Sequence, residues 1–288
     1  MSTPYASAAP YYARYRPPYP AELYALLTER FALDGSQTVL DLGAGPGTVS
    51  LRLAALVEQV YAVDPEPAML AEGCRLAEEQ GRTNIAWLRG DSAGIGRLCL
   101  PRIDLCVIGG AFHRMDPTRL PAELDSVLAP RGGIAVVTTL AGAAAGQQGR
   151  GPAWPAVVDE VCARFLGSAP RTGHGPSTHP AGGAEEAEQG DELQGLEGLE
   201  GLQELEDRLA KSAFSHVRTT TWERSTRCTV DELVGLQLSR PRSSPARLGD
   251  RKGAFESELR RALLAHDPGG TYSRTVTVAA TIATRPRR

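Results

Sequence analysis

Four polar side chains stand where short apolar runs break off: Asp41, Asp64, Asp91 and His113. Asp41 closes Val39-Leu40 and precedes Leu42-Gly43-Ala44-Gly45-Pro46-Gly47, with glycines at alternate positions. Glycines so spaced allow a tight turn and remove the Cβ atoms that would hold a ligand off the backbone. A diphosphate-binding turn needs Gly-x-Gly-x-x-Gly, so the third glycine here falls one residue early. Asp41 is also poorly matched to a pyrophosphate and well matched to an ammonium group. Asp64 lies 23 residues after Asp41 at the end of Val60-Tyr61-Ala62-Val63. An acid at that place accepts hydrogen bonds from ribose hydroxyls. These residues favour a ligand with an ammonium group and ribose hydroxyls over a diphosphate.

Such residues work together only if strands and helices bring them to one edge. Val39–Leu42, Val60–Asp64, Ile85–Asp91, Ile103–Gly110 and Ile134–Thr139 read as five strands. They alternate with helical segments, which predicts an α/β fold: a Rossmann-like, seven-stranded, mostly parallel sheet with helices on both faces. Ligands of such sheets sit beyond the carboxyl ends of the strands, where Asp41, Asp64, Asp91 and Gly110 all fall. His113 follows the fourth strand closely and is the candidate general base, since imidazole accepts a proton near neutral pH. Asp116, ahead of Pro117, reads as a helix N-cap rather than a base.

The segment Val39–Thr48 resembles motif I of the class I S-adenosylmethionine (SAM)-dependent methyltransferases, in particular the small-molecule type. The resemblance covers about residues 11–140 and 210–285. It implies SAM as cofactor and S-adenosylhomocysteine as product, held by Asp41, Gly43, Ala44, Gly45, Asp64, Pro65, Met69 and Gly110. Asp91, with Ser92 beside it, would face the adenine amino group. Related sequences begin with a Tyr/Arg/Pro segment like Tyr11–Pro20 (YYARYRPPYP) that helps cover SAM. On that likeness Tyr15 and Arg16 lie by the cofactor, with Arg16 pairing with its carboxylate. Relatives often carry Phe-His-Trp after the fourth strand. Here Arg114 takes the tryptophan's place and brings a cation to the substrate side. The implied reaction is methyl transfer to N, O or C of a small molecule, as in natural-product (antibiotic) biosynthesis. Two other readings remain open: a cyclase-like protein of the same fold that uses SAM or its product for another reaction, and an NAD(P)-dependent oxidoreductase. A pure binding module is a third.

The 288 residues, 42% of them apolar, suffice for one full core with additions. The formal net charge is −3, and no basic stripe is visible, which argues against nucleic acid. Apolar runs are strand-sized, so no membrane partner is expected. The N-terminus lacks a basic start followed by an apolar stretch, and the five cysteines are scattered. A cytoplasmic protein with reduced thiols is therefore expected, as monomer or homodimer. No metal is expected: His174 and His179 have suitable spacing but lie in a Gly/Pro-rich segment without cysteine.

The organisation reads as a flexible N-terminus (1–10), a SAM-binding core with its N-terminal cap segment (11–140), a helix plus acidic low-complexity insertion (141–210), and the rest of the same domain (211–288). No Lys or Arg occurs from Thr172 to Asp207, and the repeat GLEGLEGLQEL has glycine every third residue. Such composition predicts a disordered loop. After it, a sixth strand, two helices (Thr229–Ser239, Lys252–His266) and a seventh strand complete the sheet. With Trp154–Leu166 those helices form a helical cap. Thr229 and Glu232 have the spacing of a capping box.

Overall fold

The computed structural model describes residues 3–141, 153–167 and 198–286. Seven strands form one sheet: β1 (Thr38–Leu42), β2 (Gln59–Asp64), β3 (Ile85–Arg89), β4 (Ile103–Gly109), β5 (Leu128–Ala141), β6 (His216–Thr229) and β7 (Thr271–Thr284). Their order is β3-β2-β1-β4-β5-β7-β6. Strands β1 to β5 pair in parallel, and β7 pairs antiparallel with β5. The chain runs outward from β1 to β3, then returns to lay β4 on the other side of β1. The strand order therefore reverses between β1 and β4, the place where such sheets bind ligands.

The described chain divides into two compact units. The larger holds residues 16–141, 198–224 and 275–286. Its core follows the two-residue period of the strands. Leu40, Leu42, Cys106, Ile108, Ile134 and Val136 face one way, onto α5 (Leu120–Val127) and α7 (Gly198–Ala210). Val39, Leu105, Val107, Ala135 and Val137 face the other way, onto α2 (Ala21–Phe31). Burial on both faces explains why these strands read as continuous apolar runs. Two further helices lie along β1 to β3: the single turn α3 (Ser50–Leu53) and α4 (Pro67–Glu79).

The smaller unit holds residues 3–15, 153–167 and 225–274. It is built from α1 (Pro4–Tyr15), α6 (Trp154–Leu166), α8 (Val230–Leu238), α9 (Pro245–Leu248) and α10 (Lys252–His266). Val158, Val161, Leu233, Phe255, Leu259 and Leu263 make its core. Thr229 and Glu232 form the expected capping box at α8.

Two segments differ from the sequence reading. Residues 4–10 belong to α1, with Ala8 and Ala9 buried, rather than to a mobile lead. The end of the acidic repeat is helical: α7 buries Leu202, Leu205 and Leu209 in the larger unit. Leucines at i, i+3 and i+7 supply an apolar stripe whose burial overrides the cost of glycine. The remainder of the acidic insertion, His174 and His179 lie outside the described residues. All five cysteines are free thiols. Among the described residues no helix is long and apolar enough to cross a membrane, and no cluster of His, Cys, Asp and Glu could hold a metal.

Candidate cofactor site

The turn after β1 is built from backbone conformations that side chains disfavour. Gly43, Gly45 and Gly47 have φ of +76°, +53° and +81°. A Cβ at Gly43 would lie 2.4 Å from Ala111 Cβ, and one at Gly47 2.5 Å from the Trp87 ring. These two glycines are required by close packing as well as by φ. At Gly45 a Cβ would meet nothing within 4 Å, so this part of the turn faces open space.

The amides of the turn are engaged from within. Gly43 N–H and Ala44 N–H both donate to Val63 O, at 2.8 and 3.0 Å. Gly47 N–H donates to Ala44 O at 3.0 Å. Gly45 N–H donates to Asp64 Oδ2 at 2.8 Å. Pro46 has no N–H. Asp64, only 9% exposed, also accepts from Glu66 N–H through Oδ1 at 2.9 Å. A diphosphate site needs turn amides aimed outward at the anion. Here an anionic side chain already sits on the central amide, so a diphosphate would meet like charge and no free donors between residues 43 and 47.

Asp41 is 1% exposed and turns inward. Its Oδ2 accepts from Ser50 N–H at 2.9 Å and Ser50 Oγ–H at 2.6 Å. Burial pushes its carboxyl up to about 7, against the opposing pull of the Ser50 hydrogen bonds, with the nearby Asp64 charge raising it further. Asp41 thus ties the exit of the turn to β1 by capping α3. The helix after the turn is one turn long and its first amide is already taken, so little positive helix end is presented to a ligand. Burial of Tyr24 raises its hydroxyl well above the usual tyrosine range, and the Asp41 charge adds to this.

The remaining predicted residues fall around this turn. Gly90 N–H donates to Asp64 O at 3.2 Å, which brings the end of β3 beside the end of β2. Asp91 follows, exposed, and caps the 3₁₀ helix Ser92–Leu98 by accepting from Gly94 N–H at 2.8 Å. Pro65 is exposed and Met69 is buried in the first turn of α4. Gly110 has φ of +64° and donates to Val137 O at 2.8 Å. Arg16 is half-buried in the larger unit. Tyr15 belongs to the smaller unit, where its ring covers Gly235 and stacks on Tyr11.

Beyond β4, the 3₁₀ turn Phe112–Arg114 buries Phe112 and leaves His113 half-exposed and Arg114 exposed. Arg114 Nε–H donates to His113 Nε2 at 3.3 Å. Asp116 accepts from Thr118 N–H and Arg119 N–H, which makes it a cap. It caps a turn, however, and α5 begins at Leu120, three residues later than Pro117.

Sequence reasoning missed three supports of the site. Ser50 anchors Asp41. Tyr19 places its hydroxyl where a Cβ on Gly109 would come within 3.2 Å. The Trp87 ring backs the turn at Gly47. Tyr19 lies in the Tyr/Pro segment already singled out, whereas Ser50 carries no signal at its spacing from Asp41.

Residues 39–132 match the Methyltransferase domain family. An uncharacterized methyltransferase of Mycobacterium tuberculosis is 37% identical over 137 residues, 48% of this chain and 52% of that protein. Methyltransferase cfoB of Aspergillus candidus is 30% identical over 125 residues, 42% of this chain and 39% of that one. The chain thus spans about half the length or less of these relatives. Among solved structures, precorrin 8w decarboxylase of Methanobacterium thermoautotrophicum superposes with a TM-score of 0.51 at 17% identity, covering 94% of each chain. A phosphoethanolamine N-methyltransferase of Haemonchus contortus, solved with S-adenosylhomocysteine, gives 0.51 at 13% identity, covering 98% of this chain and 57% of that one. These likenesses establish the fold.

Proposed function

We propose that this chain, which carries a class I SAM-dependent methyltransferase domain, transfers a methyl group from SAM to a nitrogen, oxygen or carbon atom of a small molecule. The observation that carries the reading is the turn itself. Every N–H from Gly43 to Gly47 is engaged within the protein, one of them by the Asp64 carboxylate. Such a site suits a nucleoside with hydroxyls and a positive charge, and repels a diphosphate.

Bound SAM supplies an activated methyl group whose displacement leaves a neutral thioether. Asp64 accepts hydrogen bonds from the ribose hydroxyls, and Asp91 with Ser92 borders the adenine. Gly45 leaves room for the amino acid end. Asp41 acts through Ser50, by fixing the turn. The chain's remaining task is to hold an acceptor atom about 3 Å from the methyl carbon in line with the breaking bond. For an acceptor protonated at neutral pH, His113 takes the proton at Nε2. Arg114 Nε–H donates to that nitrogen, so the acceptor competes with the guanidinium for it. The absence of a basic stripe in the sequence supports a small-molecule acceptor, such as an intermediate of natural-product biosynthesis.

Incubation with methyl-labelled SAM and a panel of amines, phenols and carbon acids tests this. Label in product, with one S-adenosylhomocysteine per turnover, is expected. A converted acceptor without S-adenosylhomocysteine would favour the cyclase-like reading.

A further inference from the structure

Gly73 lies inside α4, where glycine weakens a helix relative to alanine and no turn requires it. Its reason is steric. A Cβ there would come within 2.4 Å of Trp87 Cζ3 and 2.5 Å of Cη2, and within 3.2 Å of the Pro46 carbonyl carbon. The same two indole carbons lie 3.2 and 2.5 Å from where a Cβ on Gly47 would stand. The outer edge of Trp87 is therefore a wedge seated between two missing side chains. One belongs to α4, the other to the last glycine of the turn after β1. Trp87 itself is held in β3, paired with Ala62 of β2. Its indole is half-buried and is the side chain nearest to Gly47 on that flank.

We propose that Trp87 is a positioning residue for cofactor binding: its indole edge, locked against Gly47 and Gly73, sets the shape of the Gly43–Gly47 turn. This rests on the assignment of that turn to SAM. It goes further by linking β3, α4 and the turn through one side chain. The turn's hydrogen bonds fix its start on Val63 and its middle on Asp64. The indole fixes its end. Shortening the ring would free Gly47, and adding a methyl at Gly73 would push the ring into the turn. The two changes should offset one another, since the methyl occupies space that the shorter ring vacates.

The test is calorimetric titration with SAM and with S-adenosylhomocysteine, alongside thermal melting, on six forms of the full chain: wild type, Trp87→Phe, Gly73→Ala, the double variant, Trp154→Phe and Leu124→Ala. Trp87→Phe and Gly73→Ala should each raise the Kd about 10-fold, and the double variant should return to within about 3-fold of wild type. Leu124→Ala, a cavity in α5 that touches neither Gly47 nor Gly73, should lower the melting temperature yet leave the Kd within about 2-fold. Tryptophan emission should change on SAM addition in wild type and Trp154→Phe, and should lose that change in Trp87→Phe. Kd values in Trp87→Phe and Gly73→Ala equal to wild type, or single effects that simply multiply in the double variant, would overturn the proposal while leaving SAM binding intact. A wild type that takes up neither ligand would remove both this inference and the SAM assignment.

Discussion

The two loops that meet where the strand order reverses are made in opposite ways. The turn after β1 is fixed by its backbone: three glycines at positive φ, engaged amides, and packing too close for a side chain at Gly43 and Gly47. The segment after β4 is one 3₁₀ turn whose polar side chains, His113 and Arg114, reach outward. The first is over-determined and leaves little freedom for substitution. The second presents polar groups from a short turn anchored by the buried Phe112. On the proposed function, the donor side is written in backbone and the acceptor side in side chains.

The comparison breaks first at Gly43. Gly43→Val adds a β-branched side chain at positive φ with its Cβ on Ala111. SAM binding measured by calorimetry should fall beyond about 100-fold, or the protein should fail to fold, since the site cannot shift without moving the segment after β4. Asp64→Ala should weaken SAM by about 100-fold, roughly 3 kcal/mol, through loss of the proposed ribose acceptor and of the group on Gly45 N–H. Near-normal affinity in either variant would show that the turn is not the cofactor's seat.

A subtler probe is Asp41→Asn. The folded-state carboxyl at about 7 lies above its ordinary value near 4, so the folded protein holds the proton more tightly than the unfolded chain. Asp41 therefore contributes stability at low pH, and that contribution is lost as pH rises from about 4 through about 7. The asparagine variant lacks this dependence. Melting curves from pH 5 to 8.5 should show wild type losing about 5 °C relative to the Asp41→Asn variant as the pH rises, and a constant gap would contradict the burial argument.

On the acceptor side the expected effects on SAM are the smallest. Asp116→Ala should cost about 1 kcal/mol of stability in denaturant titration, as the loss of a cap does. His113→Gln should leave the Kd for SAM within about 2-fold while lowering turnover by about 100-fold with a protonated acceptor. An equal loss of SAM affinity from His113→Gln would blur the two sides into one.

How legible each side was follows from the same contrast. The ends of β1 to β4, the glycine turn and the capping box Thr229–Glu232 are local patterns that recur within two residues, whereas the fifth strand runs Leu128–Ala141 and not Ile134–Thr139. Helix α6 spans Trp154–Leu166, as its valines and Phe165 at helical spacing predict. The capping of α3 by Asp41 was not legible, because nothing in a nine-residue separation announces a hydrogen bond to Ser50. Helix α7 was misread because a glycine-rich repeat looks disordered until Leu205 and Leu209 find the core beside α5. Residues 4–10 went the same way: alanine and proline give no periodic signal, and their order comes from burying Ala8 and Ala9. The sequence reading passes over Gly73, because the reason for it sits on β3, beyond any local window.

On the proposed function, the turn after β1 receives a positively charged nucleoside and turns away a diphosphate. Isothermal titration of the wild-type chain with SAM and, separately, with NAD and NADP tests it most directly. Saturable, one-to-one heat with SAM and none with either dinucleotide is the predicted result. Saturation by a dinucleotide with no response to SAM would contradict it.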